Sequence, residues 1–325
     1  MNAALVQSFT APPVYTTFED PIPQEGEHLV TVTAAALHRI VKALASGTHY
    51  GSTGQLPFIP GVDGVGRLQS AAGTIPSGAR VYFGVTRPPF GTFAQLAAAP
   101  AFLLIPLPDA LDDATAAAIA NPAMSSWVAL DRASFTPNES VLILGATGVS
   151  GQLAVQIARR RGAKRIVAAG RNPEALAQLS SLGADAVISL DQPTDALIAA
   201  FRTQLDAGID IILDYLWGPP AEAVLQAIAK KGLSHVSPRI RYVDIGNTAG
   251  PNITLPAATL RSSGLELLGS GFGSASMDQI LRAVADFFAL TAANPFHFNL
   301  KTAPLSEVAN LWTHQDQATR LVFLP

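Results

Sequence analysis

Residues 141–171, VLILGATGVSGQLAVQIARRRGAKRIVAAGR, restrict the possible folds of this chain more than any other stretch. Val141–Leu144 is an unbroken apolar run, which suits a strand buried on both faces of a parallel sheet. Glycines follow at Gly145, Gly148 and Gly151, and residues 152–160 carry Leu153, Val155, Ile157 and Ala158 at helical spacing. Ile166–Ala169 is a second apolar run. The order is strand, glycine turn, helix, strand: one βαβ unit.

A glycine turn in this setting predicts a dinucleotide site. The spacing is GxxGxxG rather than GxGxxG, so the context carries the reading. Without side chains, Gly148 and Gly151 let a pyrophosphate approach the backbone and let the helix lie close to the strand, while free N–H groups at the helix start meet the anion. Ala146, Thr147, Gly148 and Val149 are the expected phosphate cradle, and Thr147 and Ser150 can add hydroxyl donors. The plainer alternative is a tight strand-to-helix turn with no ligand. Twenty positions past Gly151, where an NAD-preferring protein places an acidic residue for the ribose 2′-hydroxyl, stand Gly170, Arg171 and Asn172. A guanidinium there can pair with a 2′-phosphate, so NADP(H) is expected over NAD(H). A solvated loop arginine is the alternative for Arg171.

At 325 residues the chain suits two domains, and an apolar content of 49% against 14% charged residues supplies ample core. A net charge of −3 gives no electrostatic footprint for nucleic acid or an anionic membrane. There is no cysteine, hence no disulfide, thiol catalysis or thiolate zinc site. The six histidines are scattered and no HxxxH pair occurs, so no metal is expected. No apolar run reaches the ~20 residues that span a bilayer and the first twenty residues lack a signal-peptide pattern, so a cytoplasmic location is expected.

Further apolar runs at Ala186–Leu190, Ile209–Leu213, Arg241–Gly246 and Leu265–Gly269 bring the strands to six, with helical intervals between them. That predicts a doubly wound parallel sheet, an α/β Rossmann domain whose ligand crosses the carboxyl ends of the strands. Asp214 to Trp217, Gly246, Asn247 and Gly269 to Phe272 then lie beside the cofactor. Asp214 reads as an acceptor of backbone N–H groups at its strand end. Residues 1 to about 120 differ. Short β-like runs at His28–Ala34, Arg80–Gly84 and Phe93–Ala98 alternate with Pro and Gly clusters, and Ala35–Ser46 reads as a lone helix. Ala110–Leu130 reads as a helix broken at Asn121-Pro122-Ala123-Met124 and resumed from Ser125. Met277–Leu290 is a strong helical pattern.

Leu56–Gly66, LPFIPGVDGVG, taken with the βαβ unit and with LGADAVI at 182–188, resembles the medium-chain dehydrogenase/reductase superfamily. Zinc alcohol dehydrogenases carry GHExxG at this place. Here Val62 stands for the zinc-binding histidine and Asp63 for the glutamate, while His38 in AAALHRI stands near the cysteine ligand. The resemblance is therefore to the zinc-free quinone oxidoreductase and enone reductase branch. It implies a mostly β, GroES-like catalytic domain of residues 1–120 and 274–325 around an NADP-binding domain of residues 121–273. A homodimer joined along the last strand, Leu265–Ser270, is also expected, because that edge carries a single charge, Glu266, and no proline, and in the superfamily the corresponding edge often pairs with its copy; an edge covered by the C-terminal helix is the alternative. His38 would lie near the nicotinamide, with a core or helix-surface histidine as the alternative. Tyr50, in an SGxY-like segment, is the first candidate proton donor and His49 the second, with a packing aromatic as the alternative. Asn121, Met124 and Ser125 are candidate cleft residues, or a hinge. The expected function is NADPH-dependent hydride transfer to a quinone or an α,β-unsaturated carbonyl. The rivals are a non-catalytic NADPH-binding protein and a zinc-free alcohol or aldehyde dehydrogenase. No GxSxG or HExxH motif supports a hydrolase.

Overall fold

A computed structural model of the chain describes residues 1–84, 87–229, 238–271, 273–313, 316 and 318–325. Among these residues two compact units form. Unit 1 comprises Met1–Asn121, Val284–Pro295 and Asn299–Pro325, and unit 2 comprises Pro122–Ala283 and Phe296–Phe298.

Unit 1 holds β1 (Asn2–Leu5), β2 (Val14–Thr17), β3 (Glu27–Ala36), α1 (Arg39–Ala45), β4 (Asp63–Leu68), β5 (Arg80–Gly84), β6 (Leu96–Pro100) and β7 (Leu104–Pro106). α2 (Asp113–Arg132) begins in this unit. Unit 2 holds β8 (Ser140–Leu144), α3 (Val149–Arg160), β9 (Arg165–Gly170), α4 (Pro173–Leu179), β10 (Ala186–Ser189), α5 (Thr194–Asp206), β11 (Ile211–Asp214), α6 (Gly218–Ile228), β12 (Arg239–Asp244), α7 (Ala257–Arg261) and β13 (Gly264–Gly269). After α8 (Met277–Ala293) come β14 (Asn299–Pro304), α9 (Val308–Leu311) and β15 (Thr319–Leu324) of unit 1.

Unit 2 is built on a parallel sheet in the order β10-β9-β8-β11-β12-β13. The apolar runs of the sequence become the central strands β8, β9 and β11, because a residue buried on both faces of a sheet has no use for a polar alternate. Leu142, Val167, Ile212 and Tyr242 are wholly buried, with Phe201, Val224 and Leu225 from the covering helices among them. Each such side chain contributes about 1.5–3 kcal/mol by leaving water. The order reverses between β8 and β11, and that is where a sheet of this kind opens a crevice at its carboxyl ends.

Unit 1 carries a mixed sheet in the order β14-β15-β3-β4-β5-β7, with β6 also paired to β3. Its core gathers Leu68, Phe83, Phe93 and Phe323, and the rings of Phe93 and Phe323 meet edge to face at 5.4 Å.

Two expectations are corrected. The helix expected from Ala35 starts only at Arg39, because β15 pairs with β3 through Val322 opposite Ala36 and Phe323 opposite Ala35 and so extends the strand. The break expected at residues 121–124 does not occur: α2 runs unbroken through Pro122. Proline removes a single N–H. Ile119, Ala120, Ala123 and Val128 stay buried along the helix, and Ser125 and Ser126 donate their hydroxyls to the carbonyls of Pro122 and Ala123. No helix among the described residues is long and apolar enough to cross a membrane.

Candidate functional site

In unit 2 the chain leaves β8 into Gly145, whose φ of +83° is one that side chains rarely adopt. Gly145 and Ala146 both donate to the carbonyl of Ala169, 2.9 Å away, which ties the turn to the neighbouring strand. Gly148 is the N-cap of α3, extended and with no side-chain cap, so the first-turn N–H groups are left for an external acceptor. A Cβ on Gly151 would stand 2.5 Å from Ala146 Cα, so a larger residue would drive the helix off the strand. The cradle of Ala146, Thr147, Gly148 and Val149 thus has the donors and the clearance that a pyrophosphate requires.

At the end of β9 a Cβ on Gly170 would lie 2.8 Å from Thr147 Oγ1, so the glycine makes room for the threonine and joins the two predicted segments. Arg171 is exposed. Asn172 caps α4, its Oδ1 accepting from Ala175 N at 2.9 Å. Its carboxamide is committed to the helix, leaving Arg171 as the charged group on this edge.

Asp214 ends β11, fully buried. Its Oδ1 accepts from Leu216 N at 2.7 Å and Trp217 N at 3.1 Å, and its Oδ2 from Tyr242 Oη at 2.6 Å. Burial pushes its carboxyl pKa up, against these three donors. The carboxylate pins a strained turn: Trp217 has φ 56° and ψ −159°, a region essentially reserved for glycine. Asp214 therefore fixes the turn at the carboxyl end of β11 from within. Gly246 donates to the carbonyl of Asp214 at 3.2 Å, and the Asn247 carbonyl accepts from Gly250. Asp244, in register with Asp214, has its pKa raised to about 6, first by burial and then by Asp214's charge. Phe272 lies outside the described residues.

Sequence reasoning treats Tyr215 only as one member of a strand-end segment. Its hydroxyl lies 3.3 Å from Ser125 Oγ, and burial raises its pKa to about 12. The available signal is a hydroxyl-bearing ring one residue past a buried strand, at the switch point.

In unit 1 the candidates separate. Tyr50 is 80% exposed and its ring stacks on His49 with centroids 4.1 Å apart. His38 is only 2% exposed, at the N-cap of α1. Its Nε2 stands 3.3 Å from Asp63 Oδ1, off the line of a hydrogen bond. Asp63 Oδ2 accepts from Tyr82 Oη at 2.9 Å, and the Asp63 carbonyl accepts from Thr92 Oγ1 at 2.7 Å. Burial holds the His38 imidazole below its usual range despite the pull of Asp63, and burial followed by that same carboxylate drives the Tyr82 phenol well up. Val62 fills the place of a further ligand with an apolar side chain, and among the described residues no three His, Asp or Glu groups converge as a metal would need.

A family described as "Zinc-binding dehydrogenase" matches residues 150–288. The match lies downstream of His38, Val62 and Asp63. The chain is 27% identical over 368 residues to the "Probable NADPH-dependent quinone reductase tdiC" of Emericella nidulans, covering 100% of both. It is 31% identical over 224 residues to the quinone oxidoreductase of Lama guanicoe, covering 66% of each chain. A solved structure of the quinone oxidoreductase from Thermus thermophilus, known also in complex with NADPH, superposes with a TM-score of 0.79 at 25% identity over 100% of both chains. With the parallel sheet, the glycine turn and the separate mostly β unit, these likenesses show that the chain belongs to the medium-chain dehydrogenase/reductase superfamily.

Proposed function

We propose that the protein is an NADPH-dependent, zinc-independent oxidoreductase of the quinone oxidoreductase-like branch, acting on a quinone or an α,β-unsaturated carbonyl. The observation that carries the reading is the uncapped α3 start beside the Gly151 close approach, with Arg171 in place of an acidic residue at the end of β9. The bound cofactor supplies a hydride. The chain's residues orient it: α3's first turn holds the pyrophosphate, and Arg171 answers a 2′-phosphate. A conjugated acceptor suits a site lacking a Lewis acid, because the arriving charge spreads to an oxygen that hydrogen-bond donors stabilise. The ligand set of His38, Asp63 and Val62 supports the zinc-independent part of the reading. Tyr50 is the proposed proton donor on grounds of exposure; His38 is buried and its imidazole faces Asp63.

The test is the cofactor preference. Arg171→Ala should weaken NADPH binding by about 1.5–3 kcal/mol and leave NADH binding nearly unchanged, measured by fluorescence titration. Equal loss for both dinucleotides refutes the 2′-phosphate role.

We also propose a homodimer in which β13 pairs with its copy. β13 is an edge strand, Leu267 is 38% exposed, and its one charge, Glu266, is occupied by Arg239 at 2.7 Å. An apolar edge of this kind is a pairing template. Light scattering should return twice 33.8 kDa, and Leu267→Pro should yield monomers. A wild-type monomer sinks this part.

A further inference from the structure

We propose that Tyr215 is a cofactor-positioning residue, its phenolic oxygen accepting a hydrogen bond from the carboxamide of the nicotinamide, with Ser125 fixing the direction of the phenolic hydrogen. The inference rests on the NADPH reading above and deepens it.

Three observations on unit 2 lead there. The first is position. Tyr215 follows directly after β11 and donates its N–H to the carbonyl of Leu144, the last residue of β8, at 3.2 Å. It therefore bridges the two strands between which the sheet order reverses. A Cβ on Gly145 would meet Tyr215 Cβ at 3.3 Å, so the tyrosine stands beside the glycine turn. Arg171 marks the opposite side, at the end of β9. A dinucleotide with its pyrophosphate at α3 and its adenosine ribose towards β9 turns its other half towards β11.

The second is hydrogen-bond polarity. Ser125 has one hydroxyl hydrogen and gives it to the carbonyl of Pro122 at 2.7 Å; Ser126 gives its own to Ala123 at 3.0 Å. In the 3.3 Å contact between Ser125 Oγ and Tyr215 Oη the serine therefore accepts and the tyrosine donates. Ser126 is the phenol's second hydroxyl neighbour, and its hydrogen is likewise committed to a backbone carbonyl, so the phenolic oxygen keeps lone pairs that this network does not use. The third is charge. Burial raises the phenol's pKa to about 12, so the oxygen is a neutral acceptor at working pH and places no anion by the ring. A fixed neutral acceptor matches a primary amide N–H, which the nicotinamide carries and an acetyl group in its place does not.

The experiment compares NADPH with its 3-acetylpyridine analogue, which keeps the ring, phosphates and 2′-phosphate but replaces the amide by a methyl ketone. Dissociation constants are measured by titration in the absence of any electron acceptor, with melting temperature as the folding control. Wild type should bind NADPH several-fold more tightly than the analogue. Tyr215→Phe should weaken NADPH roughly five- to tenfold and move the analogue by less than twofold. Ser125→Ala, which frees the phenolic hydrogen, should give the same selective pattern to a lesser degree, and it carries the comparison should Tyr215→Phe melt early. A parallel loss for both dinucleotides, or none for NADPH, overturns the proposal while leaving the NADPH reading intact. A wild type that binds neither overturns both.

Discussion

Each unit of this protein buries an aspartate that accepts a hydrogen bond from a buried tyrosine, and the two pairs differ in what occupies the remaining carboxylate oxygen. In unit 2, Asp214 takes Tyr242 on Oδ2 and two backbone N–H groups on Oδ1. In unit 1, Asp63 takes Tyr82 on Oδ2, while Oδ1 makes no hydrogen bond and stands 3.3 Å from His38 Nε2, with the buried Arg320 guanidinium also drawn to the carboxylate. The first carboxylate is bonded on both oxygens and holds a strained turn in shape. The second is half satisfied in an equally dry place. Low dielectric raises the cost of any unmade bond, so completeness marks a structural role and incompleteness marks a place where the fold tolerates a cost.

The sharpest way to break this comparison is the same truncation in both units. Asp214→Ala strands the buried Tyr242 hydroxyl and two half-buried backbone N–H groups, and should destabilise the protein by about 3–5 kcal/mol in chemical denaturation. Asp63→Ala strands one hydrogen-bond donor, the Tyr82 hydroxyl, and removes a counter-charge from the buried Arg320, and it should cost less, about 1–3 kcal/mol. Equal losses would show that the unpaired oxygen matters as little or as much as the paired one.

A finer test uses pH, because the units carry titrating groups shifted in opposite senses. His38 is depressed below its unfolded value near 6.5, so its contribution is whole above that pH and is lost as pH falls through the folded value. Asp244 is raised from 3.8 to about 6, so its contribution is whole below about 4 and is lost as pH rises through 6. Asp244→Asn should therefore stabilise at pH 8 by about 1 kcal/mol, allowing for screening of its exposed part, and the gain should vanish near pH 4. His38→Asn should flatten the acid limb of the same curve. Thermal melts from pH 4 to 8 read both, and slopes unchanged by either variant would sink the assignment.

The two units also differ in how legible they are. The central strands β8, β9 and β11 stand in the sequence as unbroken apolar runs, because burial on both faces erases any alternate pattern, whereas β12 opens with Arg239 and Arg241 and the edge strands β10 and β13 are partly exposed. The glycine turn is equally plain, since a close approach admits one residue type at Gly151. In unit 1, strand against helix at Ala35–Leu37 is decided by β15, nearly three hundred residues away, and no local window contains that partner. Pro122 misleads in the same manner: a local rule predicts a break, and side-chain hydroxyls with buried neighbours override it. Tyr215 does not stand out as an individual because its meaning lies in hydrogen-bond direction, which needs Ser125 and Pro122 in place.

The non-contiguous make-up of unit 1 bears on biosynthesis. A ribosome finishes all the strands of the parallel sheet by residue 269, so unit 2 has the means to fold while later codons are still being read. β3 emerges early but gains its partner β15 only when residues 319–324 have been made. β6 already takes Glu27–Thr31 on that edge, so during the interval only the C-terminal end of β3, at Ala35 and Ala36, lacks its native neighbour, at some 5–20 residues translated per second. Nascent chains stalled before residue 319 should therefore be more susceptible to protease at the end of β3, around Ala35–Leu37, than chains released after β15.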